Sequence, residues 1–388
     1  MRQTNNPFIP AFGELPAILM GREQELSDLR AAFSSSTYAP QLCSIFSGAR
    51  GTGKTSMLLQ AREEALQQGW IAVSVSAKEG MLEEIYDAVL QYTRHLVDVA
   101  ERVRIKQVNL GNLFGVEFEH EEFRRIGWRA RMETLLEVLS EYGIGLVFLV
   151  DEVRATLPEM ISLACDYQIF IGQDYKVALL MAGLPVNILG LFQHETVSFL
   201  RRAWHYRMEN IPQGALLEGV SQLITQSGKA IDDEALNLIV EVTQGFPFMV
   251  QLVGYEVWRQ CGEQNTITLD DARAGSAKAM EHMQRSIYEG TYQDLADGDK
   301  RFLAAMLPDA QASTLADIAA RMGVKSNYAS RYKQRLLDQG VIGEYGRNNF
   351  KFDIPGFREF FADEVKFELE DARLKRQQAL FEQMEADD

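Results

Sequence analysis

Eight residues, Gly48-Ala49-Arg50-Gly51-Thr52-Gly53-Lys54-Thr55, have the types and spacing needed to grip a phosphate chain. Glycines let the backbone curl so that successive N–H groups point inward at phosphate oxygens, and a helix starting at the end of the turn adds its positive N-terminus. The Lys54 ammonium is expected to reach the β- and γ-phosphates, and the Thr55 hydroxyl to ligate Mg²⁺, with Ser56 next in the chain as a further contact. The expected ligand is ATP with Mg²⁺. A second pair, Asp151-Glu152, closes an apolar run and supplies the complementary carboxylates. An aspartate there holds the metal, and an adjacent glutamate orients and deprotonates an attacking water, which predicts hydrolysis and not binding alone.

These residues need a scaffold, and the flanking patterns describe one. Gln41–Ser47 favours strand and runs straight into the glycine-rich turn, and residues 55–66 have helical periodicity. Trp70–Ser76, Gly145–Val150, Val177–Ala182 and Trp204–Ile211 are further strand candidates. Two of them are continuous apolar runs, the sign of strands buried on both faces of a parallel sheet. Helical patterns fall around 80–103 and 128–141, and an alternating stretch with glycines at about 105–127 reads as a hairpin insertion. Strands alternating with helices predict an α/β doubly wound sheet. After Pro212 the patterns are helical only. From Asp294 three short helices precede the alternating Val341–Asp353, which is the order of a winged helix.

Composition narrows the classes. The chain has 388 residues, 46% hydrophobic and 24% charged, the profile of a multi-domain globular protein. The sequence has no apolar run long enough to span a bilayer, and Met1–Pro7 lacks the apolar stretch of a signal peptide, so no membrane partner and a cytoplasmic location are expected. Cys43, Cys165 and Cys261 lie far apart without metal-ligand spacing and read as buried thiols. The formal net charge of −16 argues against a general nucleic-acid coat.

With Gly21-Arg22-Glu23, the phosphate loop and Asp151-Glu152 in that order, the chain resembles the AAA+/STAND ATPases. Within them it is most similar to the branch of origin-recognition and archaeal initiator ATPases. The resemblance implies an α/β, P-loop parallel-sheet AAA+ core over residues 1–212, an all-helical lid over 213–292, a C-terminal winged helix over 293–361 and a charged helix over 362–388. It implies that Met20, Gly21 and Arg22 help enclose the adenine, and that Gly245-Phe246-Pro247 is the lid's G-x-P motif, with Pro247 near the base or ribose. Arg201 and Arg202 occupy the place of arginine fingers that reach a neighbouring subunit's γ-phosphate, so self-association is expected. The sequence departs from the family at Gly183, where the fourth strand usually ends near a polar sensor, and in having no sensor arginine beside Gly245. Both departures imply slow turnover.

The C-terminal module inverts the chain's charge. Between Arg321 and Lys351 seven bases face only Asp338 and Glu344, a local net of +5. The second helix of the helix–turn–helix presents Ser326, Asn327, Tyr328, Arg331, Lys333 and Arg335, and the wing adds Arg347 and Lys351. Such side chains donate to phosphates and base edges, so double-stranded DNA is the expected partner. Winged helices also dock proteins or hold an inactive state, and a scaffold or signalling ATPase with a partner protein and no DNA binding is the alternative.

Overall fold

A strand run that is apolar at every position needs a packed layer on each face, and that is how the central sheet is built. The computed structural model describes residues 6–11, 13–35, 37–103, 127–345 and 348–368. The expected hairpin insertion at about 105–127 lies outside them apart from Gly127, as do Arg347 and the tail beyond 368.

By packing, the chain forms two units. The first comprises Gly21–Gly48 and Gly53–Met208. Its five strands, β1 (Cys43–Ser47), β2 (Ile71–Ser76), β3 (Leu146–Asp151), β4 (Val177–Gly183) and β5 (Trp204–Arg207), are all parallel in the order β2-β3-β4-β1-β5. Alternate residues feed two cores. Leu146, Phe148, Val150, Leu179 and Met181 pack with α3 (Met81–Val103), α4 (Trp128–Glu141) and α5 (Pro158–Gly172). Val147, Leu149, Ala178 and Leu180 pack with α1 (Glu23–Ser34) and α2 (Lys54–Gln67). A short helix, α6 (Pro185–Gln193), follows β4.

The fifth strand is shorter than expected and stops at Arg207. Met208 still donates its N–H to the Ser47 carbonyl, at 2.7 Å, and then the chain leaves the sheet. Residues 40–42 form a 3₁₀ turn, so β1 starts at Cys43.

The second unit comprises Met1–Met20, Ala49–Thr52 and Glu209–Asp388. Its helices are α7 (Gln213–Gln226), α8 (Asp233–Thr243), α9 (Pro247–Cys261) and α10 (Leu269–Met283), then a π turn (Gln284–Tyr288) leading into α11 (Glu289–Asp294). This stretch also carries two-residue strands absent from the sequence reading, β6 (Ala230–Ile231) and β7 (Thr266–Ile267), which pair in parallel. The lead-in, expected with the sheet, packs here because Phe8 inserts at Gly254. A Cβ on that glycine would lie 2.3 Å from the Phe8 ring.

The C-terminal part of this unit has α12 (Asp297–Met306), β8 (Ser313–Thr314), α13 (Leu315–Met322), α14 (Ser326–Gln339), β9 (Ile342–Glu344), β10 (Asn349–Phe352) and α15 (residues 357–368). Strand β10 sits between β8 and β9 in an antiparallel sheet, the strand and helix order of a winged helix. The cysteines are free thiols, and burial pushes the Cys43 thiol up to about 12.

Candidate nucleotide site and winged-helix face

In the first unit, the phosphate-loop helix and the end of β3 meet. Gly53 adopts a left-handed φ of +86° as the residue before α2, which admits Lys54 and Thr55 directly into the first turn. The Thr55 hydroxyl donates to Asp151 Oδ2 at 2.6 Å. Asp151 is itself fixed: its carbonyl accepts from Ala77 N–H at 2.8 Å, and its Oδ1 accepts from Glu152 N–H at 2.8 Å. The two groups expected to share a divalent cation are therefore adjacent, one hydroxyl and one carboxylate, which are hard oxygen donors of the kind Mg²⁺ takes. No cluster of three or more His, Cys, Asp or Glu side chains capable of holding a metal occurs among the described residues. The remaining ligands of such a cation would come from phosphate and water.

Glu152 stands in a left-handed conformation, φ +53°, which an L-residue adopts at a cost. The turn returns the chain to the sheet, because Val153 N–H then bonds the Ala182 carbonyl at 2.9 Å. Glu152 itself is exposed, free of the packing that holds both its neighbours in place. Gly183 ends β4 where a sensor side chain is usual. A Cβ there would lie 3.2 Å from Ile188 and 3.3 Å from Val153, so apolar side chains already take that space.

Sequence reasoning missed one polar contact beside the loop. Ser47 Oγ and His205 Nε2 are 2.6 Å apart, joining the last residue of β1 to β5. Burial, and then the neighbouring Arg207 charge, lower the His205 pKa. Only the pairing of β1 with β5 reveals this contact, and no local motif announces it.

The expected arginine fingers differ. Both are exposed, and Arg201 donates through Nε to the Phe192 carbonyl at 2.8 Å. Gly21 takes φ +66° and donates its N–H to Glu23, and the Arg22 guanidinium is buried 3.9 Å from Glu25 at the start of α1.

In the second unit, the middle of the loop is enclosed by the helices. A Cβ on Gly51, whose φ is +79°, would lie 2.5 Å from the Phe246 ring, and Phe248 N–H donates to the Gly51 carbonyl at 3.3 Å. Pro247 opens α9, so Phe248 is one of the helix's spare N–H donors. Gly245 has no room for a side chain either, since a Cβ would meet the Ile211 carbonyl at 2.2 Å. The G-x-P motif thus seats the N-terminus of α9 against the loop. Thr52 bonds back to the Ala49 carbonyl at 2.9 Å. Met20 is buried in this same unit, against Gly219.

The face of the C-terminal module is less basic than its sequence. Arg335 donates through Nε to Asp299 Oδ1 at 2.8 Å, and Asp299 is almost wholly buried. Arg321 forms paired bonds with Asp309 at 2.6 and 2.7 Å, which hold that carboxyl down at about 2. Two of the seven bases are therefore neutralised by acids that precede the counted stretch. Lys333 lies over the Phe350 ring and Lys351 over the Tyr345 ring. Ser326, Asn327, Tyr328 and Arg331 are exposed, with the Tyr328 hydroxyl 3.0 Å from that of Tyr332.

No helix among the described residues is long and apolar enough to cross a membrane. The five strands are all parallel, with the phosphate loop after β1 and Asp151-Glu152 at the end of β3, the α/β parallel sheet expected from the sequence. A family model described as a domain of unknown function, DUF8462, matches residues 285–361. A search of curated proteins finds no match. Among solved structures, Cdc6p from Pyrobaculum aerophilum is 14% identical, with 93% of this chain and 97% of that one covered and a TM-score of 0.45. The ORC1 protein of Aeropyrum pernix, in complex with DNA, is 15% identical, with 94% and 97% covered and a TM-score of 0.44. The RuvB Holliday junction branch migration motor of Thermotoga maritima is 17% identical, with 85% and 91% covered and a TM-score of 0.42.

Proposed function

We infer that this chain is an ATP-binding, slowly hydrolysing AAA+/STAND-type switch whose nucleotide state governs a winged helix that contacts double-stranded DNA. The observation that carries the nucleotide reading is the 2.6 Å bond from Thr55 to Asp151. It joins the phosphate-loop hydroxyl to the strand-end carboxylate, the pair that would hold Mg²⁺. Bound there, Mg²⁺ would neutralise phosphate charge. The chain's own residues do the rest: Lys54 counters charge on the terminal phosphates, and Glu152 takes a proton from the attacking water. The apolar filling at Gly183 supports slow turnover, since no side chain there orients the water. By the sequence resemblance, Met20, Gly21, Arg22 and Pro247 are assigned to the base, and Gly48, Arg50, Gly53 and Ser56 to the phosphates. Arg201 is tethered to the Phe192 carbonyl, so Arg202 is the better candidate to act in a neighbouring copy.

Binding of a fluorescent ATP analogue with and without Mg²⁺ tests this reading. Lys54→Ala removes at least one charge-assisted bond worth roughly 1.5–3 kcal/mol and should weaken binding by about tenfold or more. Unchanged affinity in that variant removes the site. Duplex DNA titrated at two salt concentrations tests the partner, and binding that ignores salt would sink the DNA reading.

A second reading has its own support. With Arg321 and Arg335 committed to Asp309 and Asp299, and with Tyr328 and Tyr345 exposed, the module's face also suits a protein partner. Nucleotide-dependent assembly without DNA affinity would favour it.

A further inference from the structure

Lys229, the residue before β6, is a buried ammonium, 5% exposed, at the end of α9. Its Nζ donates to the Gly262 carbonyl at 2.6 Å, to the Gln264 carbonyl at 2.8 Å and to Cys261 Sγ at 3.2 Å. The Trp258 ring, its centroid 4.8 Å from Nζ, fixes the ammonium from another side. The two carbonyl bonds follow from the helix end, which leaves acceptors unpaired and favours a cation. Capping accounts for the carbonyls and not for the thiol.

Cys261 is the last residue of α9 and is 1% exposed. Its sulfur and the Lys229 nitrogen lie within the separation of reacting atoms in a near-attack geometry, about 3–3.5 Å. The cover over them is thin. Residues 262–265 are all exposed and form a single loop into β7, tied down by the Lys229 bonds and by Ala230 N–H to the Asn265 carbonyl at 2.8 Å. Local opening of that loop admits a small neutral oxidant to the thiol.

We propose that Lys229 and Cys261 form an oxidative cross-linking site, at which one equivalent of hydrogen peroxide joins Nζ to Sγ. The peroxide transfers an oxygen to the thiol, giving a sulfenic acid and water. Lys229 releases a proton to solvent, and its nitrogen lone pair attacks the sulfur. The N–S bond forms, the S–O bond breaks, and the hydroxyl leaves as water with a second proton from the nitrogen. The two-electron oxidation of sulfur is matched by reduction of one peroxide. The bond staples the start of β6 to the end of α9. Two equivalents of a thiol reductant reverse it, becoming a disulfide as the thiol and amine are restored. This site is independent of the nucleotide and DNA readings.

The full chain, treated with hydrogen peroxide and digested at acidic residues, tests the proposal by mass. The peptides carrying Lys229 and Cys261 should appear joined, about two mass units below the sum of the free peptides, and should separate after dithiothreitol. Cys43 is an internal control: it too is buried, but its thiol bonds the Tyr167 hydroxyl, which offers no amine, and it should stay unlinked. Lys229→Arg keeps a cation at the helix end and should lose the joined peptides, leaving Cys261 as an oxygen acid of sulfur. If that variant does not fold, the comparison of treated with untreated wild type still decides. Recovery of Cys261 from treated wild type as a free thiol, or as an oxygen acid with Lys229 unlinked, overturns the proposal.

Discussion

The end of the parallel sheet and the face of the C-terminal module both carry candidate site residues, yet they hold them in opposite ways. At the sheet, Asp151 is pinned by Ala77, Glu152 and Thr55 before any ligand arrives, and both its oxygens have defined partners. At the winged helix, Arg335 and Arg321 spend their guanidinium groups on Asp299 and Asp309, within the module's own packing. A motif built on strand ends is preorganised by the ladder, whereas charges on a helix face go first to whichever acid the fold brings near. Counting charges therefore over-reads the second region and under-reads the first.

The largest expected effect falls on the sheet side. Glu152→Gln should retain nucleotide binding and lower phosphate release by about 10²–10⁴-fold, the usual span for removing a general base. Equal rates in variant and wild type would leave the sheet end as a binding site without hydrolysis. On the winged-helix side, Arg335→Ala leaves the Asp299 carboxylate buried without its cation and should cost roughly 1–3 kcal/mol of stability, read as a lowered melting temperature. Arg331→Ala, on the same helix but exposed, should leave melting unchanged, weaken duplex DNA binding and reduce its salt dependence by about one counterion. If the two variants behave alike in both assays, the distinction between structural and surface arginines fails.

The smallest effects are in pH. His205 is held neutral by burial, so its folded pKa lies below its unfolded value. Its contribution is present above the unfolded pKa of about 6.5 and is lost as pH falls through the interval down to the folded value. A His205→Gln variant should flatten the melting temperature of the whole chain below about pH 6.5 relative to wild type. Parallel profiles would show that the Ser47 contact does not depend on the ring's charge. Asp309 behaves with the same sign in a lower window: its stabilising pair with Arg321 is lost as pH falls from the ordinary aspartate range towards about 2.

What the sequence made legible follows the range of the forces involved. The phosphate loop, Asp151 and four of the sheet's five strands within a residue or two at each end are local patterns, set by glycine conformations and by apolar residues at consecutive positions. The truncation of the fifth strand at Arg207 was not legible, because Met208 and Ile211 offer apolar side chains that could continue it across Glu209 and Asn210. Their partners decide otherwise, with Ile211 N–H bonding the Gly245 carbonyl far along the chain. The two-residue strand β8 is too short to have a period, and the Asp299–Arg335 pair spans 36 positions. Phe246 reads in sequence as the variable residue of a G-x-P motif, and only the 2.5 Å limit at Gly51 shows what it covers.

The π turn at Gln284–Tyr288 has a consequence in angular terms. A π turn carries more residues per turn than the α-helices it joins, and the matched domain begins inside it, at residue 285. Tyr288 leaves this turn to meet Phe357 and Phe360 and to donate to the Pro355 carbonyl, where a Cβ on Gly356 would lie 2.5 Å from its hydroxyl. The turn absorbs one extra residue, so winding the same residues as α-helix with none removed would advance everything downstream by about 100° and about 1.5 Å. The turn therefore fixes the azimuth at which α11 and α12 leave α10, and one residue of length sets a heading that no side-chain contact could easily recover.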